Sequence, residues 1–208
     1  MKIKLILLAF LTVGILSAQT TTKKEKENFN KRNVITLSIP DLVNKAKIKI
    51  ESGITDEISI GLQGSYHYNS GIMSNFTGFK LEPLARYYVA AGFNQAPLGM
   101  YVQLKASYGQ FKTDQSFTPT QLPLLPIAKE FNLTSIGGGV SVGMQWHKFL
   151  GKNIVLDINI GGQYLSASVK EVSNLFYYPS ITENISKKYR SSGPGSYVTG
   201  TIALGIPF

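Results

Sequence analysis

The chain holds two histidines, and only His67 keeps company that could do chemistry: Ser65 lies two residues before it and Ser70 three after. An imidazole beside a hydroxyl is the core of nucleophilic acyl transfer. The ring takes the serine proton, and a carboxylate holds the ring in the right tautomer. No carboxylate is placed beside His67, so the pair reads as a hydrogen-bonded rim histidine and no catalytic residue is assigned. His147 falls at the opposite end of its strand. Histidines and carboxylates nowhere take metal-ligand spacing, and there is no glycine-rich phosphate loop. With no cysteine, disulfide frameworks and thiolate sites are excluded. The sequence thus predicts no metal, no cofactor and no enzyme.

A second set of residues carries charge at spacings of two. Lys47, Lys49 and Glu51 alternate along one stretch, Lys80, Glu82 and Arg86 share the parity of another, and Lys105 and Asp157 stand in two more. In an extended chain, residues two apart share a face. All eight side chains then point into one interior. Charge in a low-dielectric lumen must be paired or hydrated. Glu51 and Arg86 are natural partners, with Glu82, Lys105 and Asp157 completing a network. Its role is either a gate for ions or a set of salt bridges filling a plugged interior. Eight strands leave room for little beyond side chains, which favours filling.

The elements that must position these charges are strands. Eight segments show period-two patterning, near 33–41, 45–54, 57–68, 78–90, 99–111, 133–147, 153–169 and 196–208. Strand seven sends Leu156, Ile158, Ile160 and Tyr164 one way and Asp157, Asn159, Gly161 and Gln163 the other. Strand six separates Ile136, Val140, Val142 and Trp146 from Ser135, Gly137, Gly139 and Gln145. An apolar outside around a polar inside is the polarity of a membrane barrel, the reverse of a soluble one. Outward aromatics fall in two bands, Tyr87, Trp146 and Phe208 at one end and Tyr66, Phe79, Tyr108 and Tyr164 at the other, as interfacial girdles do. Pro83 cannot donate to a ladder, and a bulge is expected there. The long connections, 69–77, 112–132 and 170–195, all fall at one end. The fold class predicted is all-β, an eight-stranded antiparallel up-and-down transmembrane barrel.

Residues 1–19 read as a signal peptide: Lys2 and Lys4, an apolar run from Leu5 to Leu16, then Ser17-Ala18-Gln19. Residues 20–32 form a polar periplasmic tail and 33–208 the barrel. The formal charge is +9, of which Lys2 and Lys4 leave with the leader. An exported chain rarely meets nucleic acid, so anionic lipid headgroups are the better candidate contact for that charge, and a merely solvated tail is expected ahead of either. The strand ending Thr201-x-Ala203-x-x-Ile206-x-Phe208 resembles the C-terminal insertion signal of bacterial outer-membrane barrels. That resemblance implies the barrel-assembly machinery as a partner during biogenesis, with Ile206 and Phe208 as its contacts.

The stretch Gly78-Phe-Lys-Leu-Glu-Pro-Leu-Ala-Arg-Tyr-Tyr88 resembles the Pro-x-x-Arg-Tyr-Tyr strand of a family of uncharacterised outer-membrane barrels common in Bacteroidota. That family also tends to carry a glutamate late in its second strand, where Glu51 stands. More broadly the layout is similar to small OmpX/OmpA-type barrels. The resemblance implies an outer-membrane location and carries no activity with it.

Function is then expected in the external loops. Loop 112–132 offers Phe117 and the run containing Leu124 and Leu125. Loop 170–195 offers Phe176, Tyr177 and Tyr178, then Lys187, Lys188 and Arg190. Aromatics beside a basic cluster suit an anionic sugar or a lipopolysaccharide phosphate, and equally a folded-over cap with a solvated edge. Three roles compete. The first is a non-enzymatic barrel serving surface structure, adhesion or a larger outer-membrane complex. The second is a narrow pore, and the third a lipid A-modifying enzyme.

Overall fold

A computed structural model describes residues 32–38, 45–68, 76–89, 96–117, 127–149, 153–171 and 179–208. They form a closed antiparallel barrel of eight strands in chain order. The strands are β1 (Asn33–Ser38), β2 (Lys45–Gly53), β3 (Ile58–His67), β4 (Phe76–Tyr88), β5 (Gly99–Phe117), β6 (Ile127–Trp146), β7 (Val155–Glu171) and β8 (Val198–Pro207). A helix, α1 (Pro179–Ser191), lies between β7 and β8. No helix among the described residues is long and apolar enough to cross a membrane. The expected leader and nearly all of the expected tail, residues 1–31, lie outside the described residues.

β1 closes the ring against β8, with Val34 opposite Pro207 and Ile35 opposite Ile206. One line across the ladders runs Asn33, Ser52, Ile60, Ala85, Leu104, Val140, Gly162, Val198. It reaches β8 five residues short of Ala203, and Ala203 faces Ser38, five beyond Asn33. The ring therefore closes with a stagger of ten residues. Strands so staggered run steeply oblique to the axis, and eight of them enclose little more than their own inward side chains.

Parity sorts the side chains as the sequence reading expects. Ile48, Ile50, Ile60, Leu62, Leu104, Ile136, Val140, Val142, Ile160 and Ile206 are all exposed on the outside, Ile136 to 66%. Lys47, Lys49, Glu51, Lys80, Glu82, Arg86 and Asp157 are buried inside. Glycine takes inward positions where a large neighbour needs the space. At Gly143, opposite Tyr101 on β5, a Cβ would meet the phenol group.

Three expectations are corrected. Pro83 makes no bulge: the β4–β5 register is the same on both sides of it, Leu81 facing Tyr108 and Leu84 facing Lys105. The missing N–H leaves a gap in the ladder without inserting a residue. Much of 112–132 is strand, since β5 and β6 stay paired from Gly99–Gln145 to Phe117–Ile127. Part of 170–195 is helix. Pro179 suits a first helical turn, and Ile181, Ile185 and Tyr189, four apart, form one apolar stripe. Lys188 and Arg190 lie in its last turn, where cations complement the macrodipole.

Candidate functional site

The inward charges gather into two groups at different heights, where the sequence reading expects one network. The lower group lies toward the chain termini. Arg86 stands directly across from Ser59 on β3 and Gln103 on β5, and is 2% exposed. It donates from Nη1 to Glu51 Oε2 at 2.8 Å, from Nη2 to Asp157 Oδ2 at 2.9 Å, and to the amide oxygens of Gln103 and Gln145 at 2.8 and 2.7 Å. Its guanidinium lies 3.9 Å from the centre of the Tyr101 ring, a cation–π contact that burial strengthens. Lys49 bridges the same two carboxylates, at 2.7 Å to Glu51 and 2.5 Å to Asp157.

The remaining carboxylate oxygens are also taken. Tyr88 and Ser59 donate to Glu51 Oε1 at 2.6 and 2.5 Å, and Tyr101 donates to Asp157 Oδ1. Two cations thus meet two anions, with hydroxyls filling the leftover acceptors. This is the condition under which buried charge is tolerated. The amide nitrogen of Gln145 is the group's one loose end among the described residues.

The upper group centres on Glu82. Its Oε1 accepts from Lys80 and Lys105, each at 3.0 Å, and from Ser107 at 2.9 Å. Its Oε2 accepts from Gln63, its partner across β3–β4. Above it Lys47 donates to Thr201 Oγ1 at 2.9 Å. A cavity of about 220 Å³ opens here, bounded by Lys45, Lys47, Lys80, Lys105 and Glu82 and covered by the turn 192–196 after α1.

The loop end closes over an apolar cluster. Phe76, Phe111, Phe131, Leu133 and Leu165 line the strand ends, and Ile185 and Tyr189 of α1 drop onto them. Tyr189 packs against Phe76 and Phe111 with ring centres 5.6 and 5.5 Å apart. It donates to Ser135 at 2.7 Å. Burial pushes its hydroxyl up to about 12, so it stays a protonated donor. Gly195 accommodates that ring, since a Cβ there would fall on it.

Glu51, Arg86 and Asp157 are thus brought together in one group, and Glu82 and Lys105 in another. Tyr88, Tyr101, Gln103 and Gln145 escaped the sequence reading. Their inward parity beside Arg86 and Asp157 was the available signal. Ser65 Oγ and His67 Nε2 lie 3.3 Å apart, and the His67 ring packs edge-on against Phe111. The basic cluster of the seventh connection is split by the helix: Lys187 and Lys188 are exposed, Arg190 is half-buried, and Tyr189 points inward. Phe117 ends β5, while Leu124, Leu125, Phe176, Tyr177 and Tyr178 lie outside the described residues. Ile206 and Phe208 point outward, Phe208 at 56% exposure.

Fold and site define a class: a closed eight-stranded antiparallel barrel with an ionic interior and a helix over one mouth. Within it, the chain belongs to the family described as Protein of unknown function (DUF3575), whose model matches residues 6–195. No curated protein and no solved structure matches the chain significantly.

Proposed function

We propose that this protein is an outer-membrane barrel, exported by its leader, that does not conduct. Its role is non-enzymatic: it presents the β5–β6 hairpin and α1 outside the cell for adhesion, surface structure or docking in a larger outer-membrane complex. The observation that carries this is the inversion of polarity, with isoleucine, leucine and valine exposed around the whole ring while seven charged side chains are buried within it. In water such a belt would far exceed the apolar patch a soluble monomer exposes. In lipid it is the required surface, and strand closure leaves no open sheet edge.

The Arg86 group supports the non-conducting part, because its donors are committed to carboxylates and amides across the lumen. Outer-membrane lipid and lipopolysaccharide are then the standing partners, with the barrel-assembly machinery engaging Ile206 and Phe208 during insertion. Nucleic acid is not among them.

Fractionation of cells expressing the tagged full chain tests the location. Recovery in the outer membrane, with the first 19 residues absent by mass spectrometry, is expected; a detergent-free soluble monomer would refute the proposal. Planar-bilayer recording of the purified protein tests closure, and stable open channels would overturn it in favour of a pore. An altered lipid A mass profile on expression would instead favour the enzyme.

A further inference from the structure

Among the described residues, the upper lumen holds two ammonium groups, Lys80 and Lys105, on one carboxylate, Glu82. The cavity there is many times the ~10–15 Å³ that a single water requires. Four lysines border it, Lys45, Lys47, Lys80 and Lys105, and among its lining residues Glu82 is the sole carboxylate. That carboxylate is already divided. Both Lys80 and Lys105 lean on its Oε1 at 3.0 Å, where Ser107 also donates, and Gln63 donates to its Oε2. Two ammonium groups therefore share one negative charge, and each ammonium has three protons to place. Lys80 offers its others at long range, 3.5 Å to Gln163 and 3.4 Å to the carbonyl of Pro194. Hydroxyls of Ser65, Thr199 and Thr201 and amides such as those of Asn159 and Gln163 also line it, and both kinds of group can donate as well as accept.

We infer that this cavity is a binding site for a small free oxyanion of the phosphate or sulfate type, held between Lys80, Lys105 and Lys47. An oxyanion accepts hydrogen bonds and donates few, which matches walls where donors outnumber acceptors. It also adds negative charge where Lys80 and Lys105 share a single buried carboxylate, an arrangement that is costly without a further counter-charge. A cation would be repelled, and a neutral sugar would bring no charge to offset the ammonium groups. A lipid headgroup is excluded as the source because the cavity lies inside the ring of strands, beneath the turn 192–196. This goes beyond the surface role proposed above and holds whether or not that role does.

The test is calorimetric titration of inorganic phosphate into the full chain refolded in detergent micelles at low ionic strength. Saturable binding is expected. Lys80→Gln and Lys105→Gln should each weaken it at least tenfold. Glu82→Gln removes the competing carboxylate and should tighten it several-fold, with a larger phosphate-induced rise in Tm than in the native chain. If either lysine variant fails to fold, Lys47→Gln carries the same expectation, since its ammonium donates to Thr201. Absence of saturable binding in both the native chain and Glu82→Gln overturns the inference. So does an affinity that the lysine substitutions leave unchanged.

Discussion

Toward the chain termini, Lys49 and Arg86 meet Glu51 and Asp157, two charges of each sign in direct contact. Farther up the same lumen, Lys80 and Lys105 divide the single carboxylate of Glu82. Both groups draw on β4 and face the same lumen. What separates them is the filling. Below, Tyr88 and Tyr101 occupy the space and saturate the carboxylates, and beside Lys49 and Asp157 only about 10 Å³ remains, room for one water at most. Above, small side chains such as Ser65 and Thr199 line the wall, and about 220 Å³ stays open. A neutral, fully packed group can only hold the barrel together. A cationic group beside open volume can also receive something.

The largest effect should come from breaking the lower group. Arg86→Met removes four hydrogen bonds and leaves Glu51 and Asp157 sharing Lys49 alone. Removing one partner from a buried ion group costs about 3–5 kcal/mol, because the survivors keep their desolvation penalty without their counter-charge. Urea unfolding of the refolded barrel should show that loss, and added phosphate should not restore it. A variant as stable as the native chain would mean that water reaches this layer freely.

Glu82→Gln is the matching cut in the upper group. It leaves two lysines facing each other, yet the adjoining cavity admits water and ions to screen them, so the loss should be nearer 1–3 kcal/mol. Phosphate should recover most of it. Recovery here, set against none at Arg86→Met, is what would establish that the layers differ in kind. Equal losses with no recovery in either would erase the distinction.

Much of this contrast is written in residue parity. Period-two spacing places Glu51, Arg86 and Asp157 inside and Ile158 and Val140 outside, because a strand has only two faces. Height along the axis is not legible in that way. It depends on the ten-residue stagger, which shifts each strand against the next and decides that Glu51 and Asp157 fall level with Arg86, and Lys105 with Glu82. Pro83 misled for a related reason: a proline within a strand signals a lost N–H, and the chain tolerates the gap without a bulge. The helix was readable from Pro179, Ile181, Ile185 and Tyr189.

Tyr189 offers a test of the mouth that touches neither charged layer. Gly195→Ala would place a methyl on its ring, and overpacking of this kind costs about 1–3 kcal/mol when the neighbours cannot shift. α1 is tied to the strand ends chiefly through Ile185 and Tyr189, so the strain should lift the helix before it unfolds the barrel. The chain has no cysteine, which makes a single Ser65→Cys a clean reporter. Its maleimide labelling should accelerate severalfold in the Gly195→Ala background while the unfolding midpoint moves little. Unchanged labelling would show that access to the upper cavity does not pass beneath the helix.

The smallest effect belongs to an ion pair with the same geometry as those in the lumen. Glu183 and Lys187 meet at 2.8 Å on α1, one turn apart, yet both side chains are about two-thirds exposed. The Lys49–Glu51 pair, at 2.7 Å, is almost wholly buried. Water already solvates the surface charges well, salt screens them, and neither is stranded when its partner goes. Lys187→Ala should therefore leave thermal unfolding in micelles superimposable on that of the native chain. The same substitution should weaken any contact the outer face of α1 makes in the surface role proposed above. A stability loss approaching that of Arg86→Met would instead place this face against protein, and the division between a buried structural layer and an exposed presenting one would have to be redrawn.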